Sequence, residues 1–223
     1  MMKNNKFIVR PKGYKRLEPS KDSRKIYIYC EGDREDNYFK FFVGLSSNIS
    51  IISIPSKDGK SDPEKLLESA QADFKNKKYV LDDDEEDDEN EDKHDSVWFV
   101  IDTDQWGSKI TTLRDFCNEQ NAPTSVDKWF VTQSNPCFEI WLYYHSYDNK
   151  PRTENIKKYA SMKDFVNTVI PGGFDSRKKP ALIENAIGNA KKNYKEVNGE
   201  PDLYSTEVYK LGELILPFVK SVL

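Results

Sequence analysis

The chain has 223 residues, enough for one well-buried α/β core or for such a core with a helical appendage. Its charged fraction of 32% is high for a globular domain, and its hydrophobic fraction of 37% is low. No run approaches the ~20 apolar residues of a membrane-spanning helix, and no apolar segment follows the N-terminal charges as in a secretory signal. Three cysteines, Cys30, Cys117 and Cys137, lack metal-ligand spacing, so we expect reduced core thiols in a cytoplasmic protein with no membrane partner.

The charges are distributed unevenly along the chain. Residues 82–92 hold ten acids in eleven positions, and without them the formal net charge changes from −4 to +6. Like charges repel and nothing in this run can pack, so the pattern predicts a disordered acidic insertion in a continuous domain. Residues 1–25 hold nine Lys or Arg and two acids. This basic arm, which includes Arg24 and Lys25, would lie along a nucleic-acid backbone or remain a solvated terminus.

The hydrophobic periodicity predicts strands that alternate with helices up to about residue 145. The predicted strands are Ile26–Cys30, Ile49–Ile54, Ser96–Asp104 and Lys128–Thr132. The predicted helices among them are Asp33–Leu45, Ser61–Asn76, Ser108–Glu119 and Pro136–His145. Beyond about residue 150 only helices are predicted, at Ile156–Tyr159, Lys163–Val169, Pro180–Tyr194 and Thr206–Val222. This order indicates one α/β domain over residues 26–223, with about four mainly parallel strands, flanking helices and a helical C-terminal portion.

Two of the predicted strands end in carboxylates. Glu31 follows the apolar run 26–30, and Asp102 and Asp104 follow the apolar run 97–101. Open α/β sheets usually bind ligands at the carboxyl ends of their strands, and strand residues i and i+2 point to one face. If the two strands are neighbours, the three carboxylates form an oxygen-rich site suited to Mg²⁺ or Mn²⁺. The alternative is that they belong to ordinary polar turns, in which Asp is common.

Two other features carry less functional weight. Gly59-Lys60-Ser61 ends like a phosphate-binding loop, but Ile54 stands where that motif needs glycine, so we expect no ATP site there. His145 closes a helix rich in aromatic residues, where contact with the helix C-terminus or the core accounts for it better than a role as catalytic base.

Several motifs, in order along the chain, resemble the RloB-like family. They are Cys30-Glu31-Gly32 with Glu35 and Tyr38-Phe39, then Phe99-Val100-Ile101-Asp102 with Asp104, then Ser-Asn-Pro-Cys-Phe-Glu-Ile-Trp-Leu at 134–142 with His145. The segment Gly59-Lys60-Ser61 with Pro63 and Leu66 is similar as well, and towards the C-terminus Ser205-Thr206-Glu207-Val208 is suggestive. The resemblance implies a Toprim-like fold, the Rossmannoid α/β metal-binding core of topoisomerases, primases and some nucleases.

The resemblance also implies catalytic and metal-binding roles. Glu31 would act as general acid or base and contribute to the metal site, and Asp102 and Asp104 would bind Mg²⁺ or Mn²⁺. Glu35 lies one helical turn after Glu31, so we expect it to face the same site as a further catalytic carboxylate.

Other residues would surround this site. Asn135, Glu139 and His145 would line its rim, although a helix cap and a buried network are alternatives for Asn135 and Glu139. Arg34 stands where the family usually has Thr, which weakens the match of that motif. As a cation, Arg34 would hold the nucleic-acid backbone together with Arg24 and Lys25.

Two functional hypotheses follow. The first is a Mg²⁺-dependent Toprim-like endonuclease that cleaves RNA, transfer RNA included, or DNA, as the effector of a bacterial anti-phage or abortive-infection system. An ABC-type ATPase partner would hold it in check. The second is a non-catalytic adaptor or regulatory subunit of the same fold that docks on such an ATPase. A structural domain without phosphate chemistry is a third alternative, and each form could assemble as a homo-oligomer.

Overall fold

The computed structural model describes residues 16–21, 23–56, 62–81, 94–103, 106–123 and 126–223. Several predicted features lie outside these residues: most of the basic arm, the loop Gly59-Lys60-Ser61, the acidic run 82–92, and Asp104. The other predicted site residues fall on described parts of the chain.

A four-stranded parallel sheet forms the centre of the fold. Its strands are β1 (Arg24–Cys30), β2 (Ile49–Pro55), β3 (Ser96–Asp102) and β4 (Trp129–Ser134), in the order β2-β1-β3-β4. Cys30 pairs with Val100, and Asp102 pairs with Ser134, so β1, β3 and β4 end at one edge of the sheet. The predicted α/β fold with a parallel sheet is confirmed, and β1 and β3 are neighbours.

Both faces of the sheet are covered, which is why its strands are nearly continuous apolar runs. One face packs against α1 (Asp33–Phe39), α4 (Glu139–Tyr144) and the C-terminal helices. The other packs against α2 (Pro63–Lys75) and α3 (Gly107–Asn121). Because successive strand side chains point to opposite faces, Asp102 shares the α1/α4 face with Trp98 and Val100.

The C-terminal portion is helical, as predicted. Its helices are α5 (Thr153–Ile156), α6 (Met162–Val169), α7 (Ile183–Asn193) and α8 (Val208–Val219), with 3₁₀ turns at Lys179–Leu182 and Lys220–Val222. Helices α7 and α8 approach closely at Gly212, where an added Cβ would lie 2.9 Å from Ile187 Cγ1. Among the described residues, no helix combines the length and the apolar character needed to cross a bilayer.

Several predicted element ends are wrong. Helix α1 ends at Phe39 rather than Leu45, because turns lead to Gly44, whose φ of +70° directs the chain towards β2. Strand β3 ends at Asp102, and Thr103 already lies outside it. Helix α2 has Asp62 as its N-cap, whose Oδ1 accepts a hydrogen bond from the Lys65 amide at 3.2 Å.

Two further local features differ from the prediction. Helix α4 begins at Glu139 rather than Pro136, because the preceding segment turns so that the Phe138 amide donates to Asp102 Oδ1. A small antiparallel hairpin, β5 (Glu196–Val197) and β6 (Glu200–Pro201), was missed. Its turn, Asn198-Gly199, has positive φ at both residues, which is the commonest hairpin turn signal in sequences.

Candidate functional site

Glu31 lies where β1 and β3 end and joins the two strands. Its Oε2 accepts a hydrogen bond from the backbone amide of Asp102 at 2.9 Å, and its Oε1 accepts one from Trp106 Nε1 at 3.3 Å. The Ser56 hydroxyl donates to the Glu31 carbonyl oxygen at 2.6 Å, which ties the end of β2 to the same point. The structure therefore brings Glu31 and Asp102 together, through the Glu31 carboxylate and the Asp102 backbone.

The Asp102 carboxylate belongs to a cluster on the α1/α4 face of the sheet. Its Oδ1 accepts a hydrogen bond from the Phe138 amide at 2.8 Å. Among the described residues, Asp102, Cys137 and Glu139 each offer one ligand atom within 4.8 Å of the other two. The cluster is thus built from the end of β3 and from the segment that leads from β4 into α4.

Glu35 is the fourth member of this acidic neighbourhood. It lies in α1 with only 6% of its surface exposed, and its carboxylate accepts hydrogen bonds from its own amide and from the Gly32 amide. A Cβ at Gly32 would lie 3.0 Å from Glu35 Oε2, so the glycine leaves room for this carboxylate. The structure therefore places Glu35 on the side of the site where Asp102 and Glu139 lie.

The pKa values of these carboxyls are raised. Burial raises the pKa of Glu35 to about 7, and the negative charge of Glu139 adds to the effect. Burial also raises the pKa of Asp102 well above its ordinary value, followed by the charges of Glu35, Glu31 and Glu139. Ionised carboxylates packed this closely repel one another and lack water, so a bound cation would relieve a large electrostatic cost.

Arg34 is the cation nearest to this cluster for which the structure shows a direct ion pair. Its NH1 lies 3.4 Å from Glu139 Oε1, and its NH2 donates to Asn167 Oδ1 at 2.8 Å. The guanidinium thus connects the acidic cluster with α6, and 22% of the side chain remains exposed. Arg34 therefore lies beside the candidate site.

Cys137 is a site residue that sequence reasoning missed. The spacing rules for metal-binding cysteines gave no signal, and it was assigned to the reduced core. Its thiol pKa is raised by burial and by the charges of Glu139 and Asp102. The available signal was its position two residues before Glu139, in the segment that follows β4. A thiolate beside these carboxylates is disfavoured, so Cys137 contributes a protonated thiol.

The remaining rim residues take structural positions. Asn135 does not cap α4, whose N-cap is Phe138, and its Nδ2 donates to the Pro201 carbonyl at 2.8 Å. His145 is buried, with Nε2 3.0 Å from the Tyr38 hydroxyl and Nδ1 3.0 Å from the Trp141 carbonyl oxygen. Both ring nitrogens are engaged within the core, and burial lowers the pKa of His145 to about 3, so it is neutral.

Arg24 and Lys25 lie at the opposite edge of the sheet from the carboxylates. They begin β1, and Glu31 follows its other end, about 20 Å away for six steps of a strand. The Lys25 amide donates to Asp95 Oδ1 at 2.7 Å, and its Nζ lies 3.3 Å from Asp95 Oδ2. The structure therefore separates these two residues from Arg34 and from the candidate site.

A buried polar network supports the chain just beyond Asp102. The Thr103 hydroxyl donates to the Ser134 carbonyl and accepts from Gln133 Nε2, each at 3.0 Å. Arg114 NH2 donates to Gln133 Oε1 at 2.9 Å and to Glu207 Oε2 at 2.6 Å. Glu207, which is 3% exposed, also accepts from the Gln133 amide at 3.1 Å. Through these hydrogen bonds Glu207 connects the C-terminal portion to β4 and to the chain next to Asp102.

Comparison with known proteins gives one family. A family model described as RloB-like protein matches residues 26–215, and neither the curated proteins nor the solved structures give a match. The matched range includes Glu31, Asp102, Glu139 and nearly all the helices of the C-terminal portion. Since it covers well over half of the 223 residues, the chain belongs to the RloB-like family.

Proposed function

We propose that the protein is a Mg²⁺-dependent endonuclease of the Toprim type, which cleaves phosphodiester bonds in nucleic acid. The observation that carries the proposal is the group of carboxylates at the carboxyl edge of a parallel sheet: Glu139 and Glu35, which are buried, and Asp102, which is half-buried. Such a group opposes folding unless a cation is bound, so a functional reason for it is needed. An adaptor subunit would have no use for this cluster.

The donor atoms suit a hard divalent cation. Asp102 and Glu139 offer carboxylate oxygens, which Mg²⁺ and Mn²⁺ prefer, and Asp104 is predicted to add a third. The Cys137 thiol would favour a softer metal only as a thiolate, a form that burial and its acidic neighbours disfavour. We therefore assign the metal to Asp102 and Glu139 with Asp104, and place Glu31 outside the ligand set.

The remaining residues would handle the proton and the substrate. Bound Mg²⁺ would act as a Lewis acid at a phosphate oxygen. Glu31, held by the Asp102 amide and Trp106, would move a proton to or from the reacting oxygen, as the family resemblance implies. Glu35 is the second proton carrier, because its pKa of about 7 lies near the working pH. Arg34 would leave Glu139 to bind the phosphate.

The biological setting follows from the family resemblance. We propose a role as effector in anti-phage defence or abortive infection, with RNA, transfer RNA included, or DNA as substrate. An ABC-type ATPase partner would restrain the nuclease until infection.

Mn²⁺ binding to the full-length chain tests the metal centre. We expect one site that Asp102→Asn and Glu139→Gln each weaken at least tenfold, because each removes a carboxylate ligand. Cys137→Ser should bind Mn²⁺ within about threefold of the parent. The acidic run 82–92 is common to all variants, so weak binding there cancels in the comparison.

The contrary outcomes are distinct. Equal Mn²⁺ binding by the parent and both carboxylate variants would refute the proposed metal centre and favour the adaptor hypothesis. A larger loss of Mn²⁺ affinity in Cys137→Ser than in Glu139→Gln would indicate a metal site in which the Cys137 thiolate is a ligand. If Mn²⁺ binding confirms the metal centre, the next measurement is Mg²⁺-dependent cleavage of labelled RNA and DNA in the presence of the ATPase partner. Asp102→Asn is the inactive control.

A further inference from the structure

A surface groove lies between α1 and the loop that follows α6. It has a volume of about 530 Å³. Its lining is Asn37 from α1, Asn167 from α6, and the loop residues 172–177, which include the aromatic Phe174 and the acidic Asp175 beside Arg177. The lining is therefore mostly small and polar, with amide, hydroxyl and peptide groups that can donate or accept hydrogen bonds.

Arg34 connects this groove directly to the candidate site. One guanidinium nitrogen lies 3.4 Å from Glu139, and another donates at 2.8 Å to Asn167, which lines the groove. Asn37 follows Arg34 by three positions in α1, so both project from the same side of that helix. A ligand that fills the groove would therefore extend to within one side chain of the metal-binding carboxylates.

The loop that forms the outer wall is anchored and basic. Phe174 packs edge-on against the His145 ring, with the ring centres 5.1 Å apart, which holds the loop on the core. The side chain of Arg177 is 87% exposed, and Asp175 orients it by accepting from its Nε at 3.0 Å. Lys178 and Lys179 follow, so residues 174–179 carry three cations and one acid.

The two glycines shape the groove floor. Gly172 and Gly173 have φ of +73° and +72°, a conformation that L side chains rarely adopt. An added Cβ at Gly172 would meet no protein atom within 4 Å, so the position next to its Cα is open space. Glycine is needed here for the backbone conformation, and the Gly173 amide donates to the Ile170 carbonyl at 2.8 Å, which holds the turn in place.

We propose that this groove binds the sugar–phosphate backbone of a single nucleic-acid strand next to the phosphate that is cleaved. The inference rests on the proposed function for the identity of the ligand. Arg34 contacts the phosphate nearest the carboxylates, and Arg177 with Lys178 contacts the phosphates that follow. The volume falls in the range of small-ligand pockets, about 300–1,000 Å³, which suits one or two nucleotides rather than a duplex face.

Equilibrium binding in EDTA tests this site without metal and without cleavage. Fluorescence anisotropy would be measured with a labelled single-stranded RNA, the DNA of the same sequence, and its duplex, at 50–200 mM salt. The variant is Arg177→Gln with Lys178→Gln, both exposed. Its matched control is Lys191→Gln with Lys192→Gln, an exposed basic pair near the far end of α7, about 12–14 Å along that helix from its first residue.

We expect the groove variant to reduce the slope of log K against log salt by about 1.4, since each phosphate contact of a single strand contributes about 0.7. Over a fourfold change in salt, the parent would then lose about sevenfold more affinity than the variant. The control pair should keep the parent slope. Tighter binding of RNA than of DNA would indicate that the groove also contacts the 2′-hydroxyl. Equal binding would indicate that it contacts the phosphates alone.

Three results would overturn the proposal: no binding of either single strand by the parent, the same slope for the groove variant and the parent, or equal reduction by the control pair. Tighter binding of the duplex would overturn the assignment to a single strand. Asp102→Asn separates this proposal from the catalytic one. It should weaken Mn²⁺ binding at least tenfold and retain strand binding, so that either proposal can fail without the other.

Discussion

Replacing Glu35 by Gln should stabilise the metal-free protein at alkaline pH. The folded-state pKa of Glu35 is raised to about 7 from an ordinary 4.5, because the side chain is buried next to Glu139. Between these two values the folded protein holds a proton that the unfolded chain has released. Stability from this group is therefore present below pH 4.5 and is lost as the pH rises through 7.

The size of the effect follows from the two pKa values. One pH unit of difference corresponds to about 1.4 kcal/mol, so ionised Glu35 opposes folding by about 3 kcal/mol above pH 7. Gln has nearly the same shape and no charge, but it accepts less well from the Gly32 amide, so a net gain of about 2–3 kcal/mol is expected. For a chain of this size that is a rise in Tm of roughly 4–12 °C.

Urea unfolding in EDTA at pH 5 and pH 8 measures this difference. The free energy of unfolding of Glu35→Gln should exceed that of the parent at pH 8 and differ much less at pH 5. Glu119→Gln, an exposed Glu of α3, is the matched control and should stay within about 0.5 kcal/mol of the parent at both pH values. Equal stabilities of Glu35→Gln and the parent at pH 8 would refute the electrostatic account of the cluster.

Three further predictions concern the site and the packing around it. Mn²⁺ affinity should rise with pH through about 7 in titrations at pH 5.5–8, because Glu35 gains its negative charge beside the metal-binding carboxylates in that range. In urea unfolding, Gly212→Ala should cost about 1–3 kcal/mol because its Cβ meets Ile187, whereas Gly188→Ala, with open space, should gain about 0.5–1 kcal/mol. By the same measurement Glu207→Gln should cost about 2 kcal/mol, since Glu207 accepts from two cations and a buried amide; no loss would contradict its supporting role.

The local sequence pattern was sufficient to predict the four strands of the sheet, most of the helices, and Glu31 and Asp102 at the strand ends. The apolar runs 26–30 and 97–101 predicted buried strands, and Glu31 and Asp102, which follow them, lie at the sheet edge where ligands are expected. Helix ends were predicted less well. The Phe138 amide donates a hydrogen bond to the Asp102 carboxylate, 36 positions away in the sequence, and α4 begins only after Phe138. The Asn198-Gly199 hairpin was a local signal that the prediction overlooked.

The membership of the site depended on tertiary structure. Strand alternation places the Asp102 carboxylate on the α1/α4 face, whereas Glu31 binds the Asp102 amide and Trp106 on the other side. Glu139 and Cys137 join Asp102 only because β4 lies beside β3 and the following segment turns over the sheet edge. Spacing in sequence carries no information about this contact.

The sequence by itself determined the parallel α/β core, the acidic character of its carboxyl edge and the likeness to the RloB-like family. These follow from short-range properties: side-chain alternation, burial of apolar runs and the residues at strand ends. Only the tertiary structure decided that Cys137 joins Asp102 and Glu139, that Arg34 connects the site to a groove, and that Arg24 and Lys25 lie far away. The physical reason is that burial and charge repulsion act between groups that are close in space, and strand order sets which groups those are.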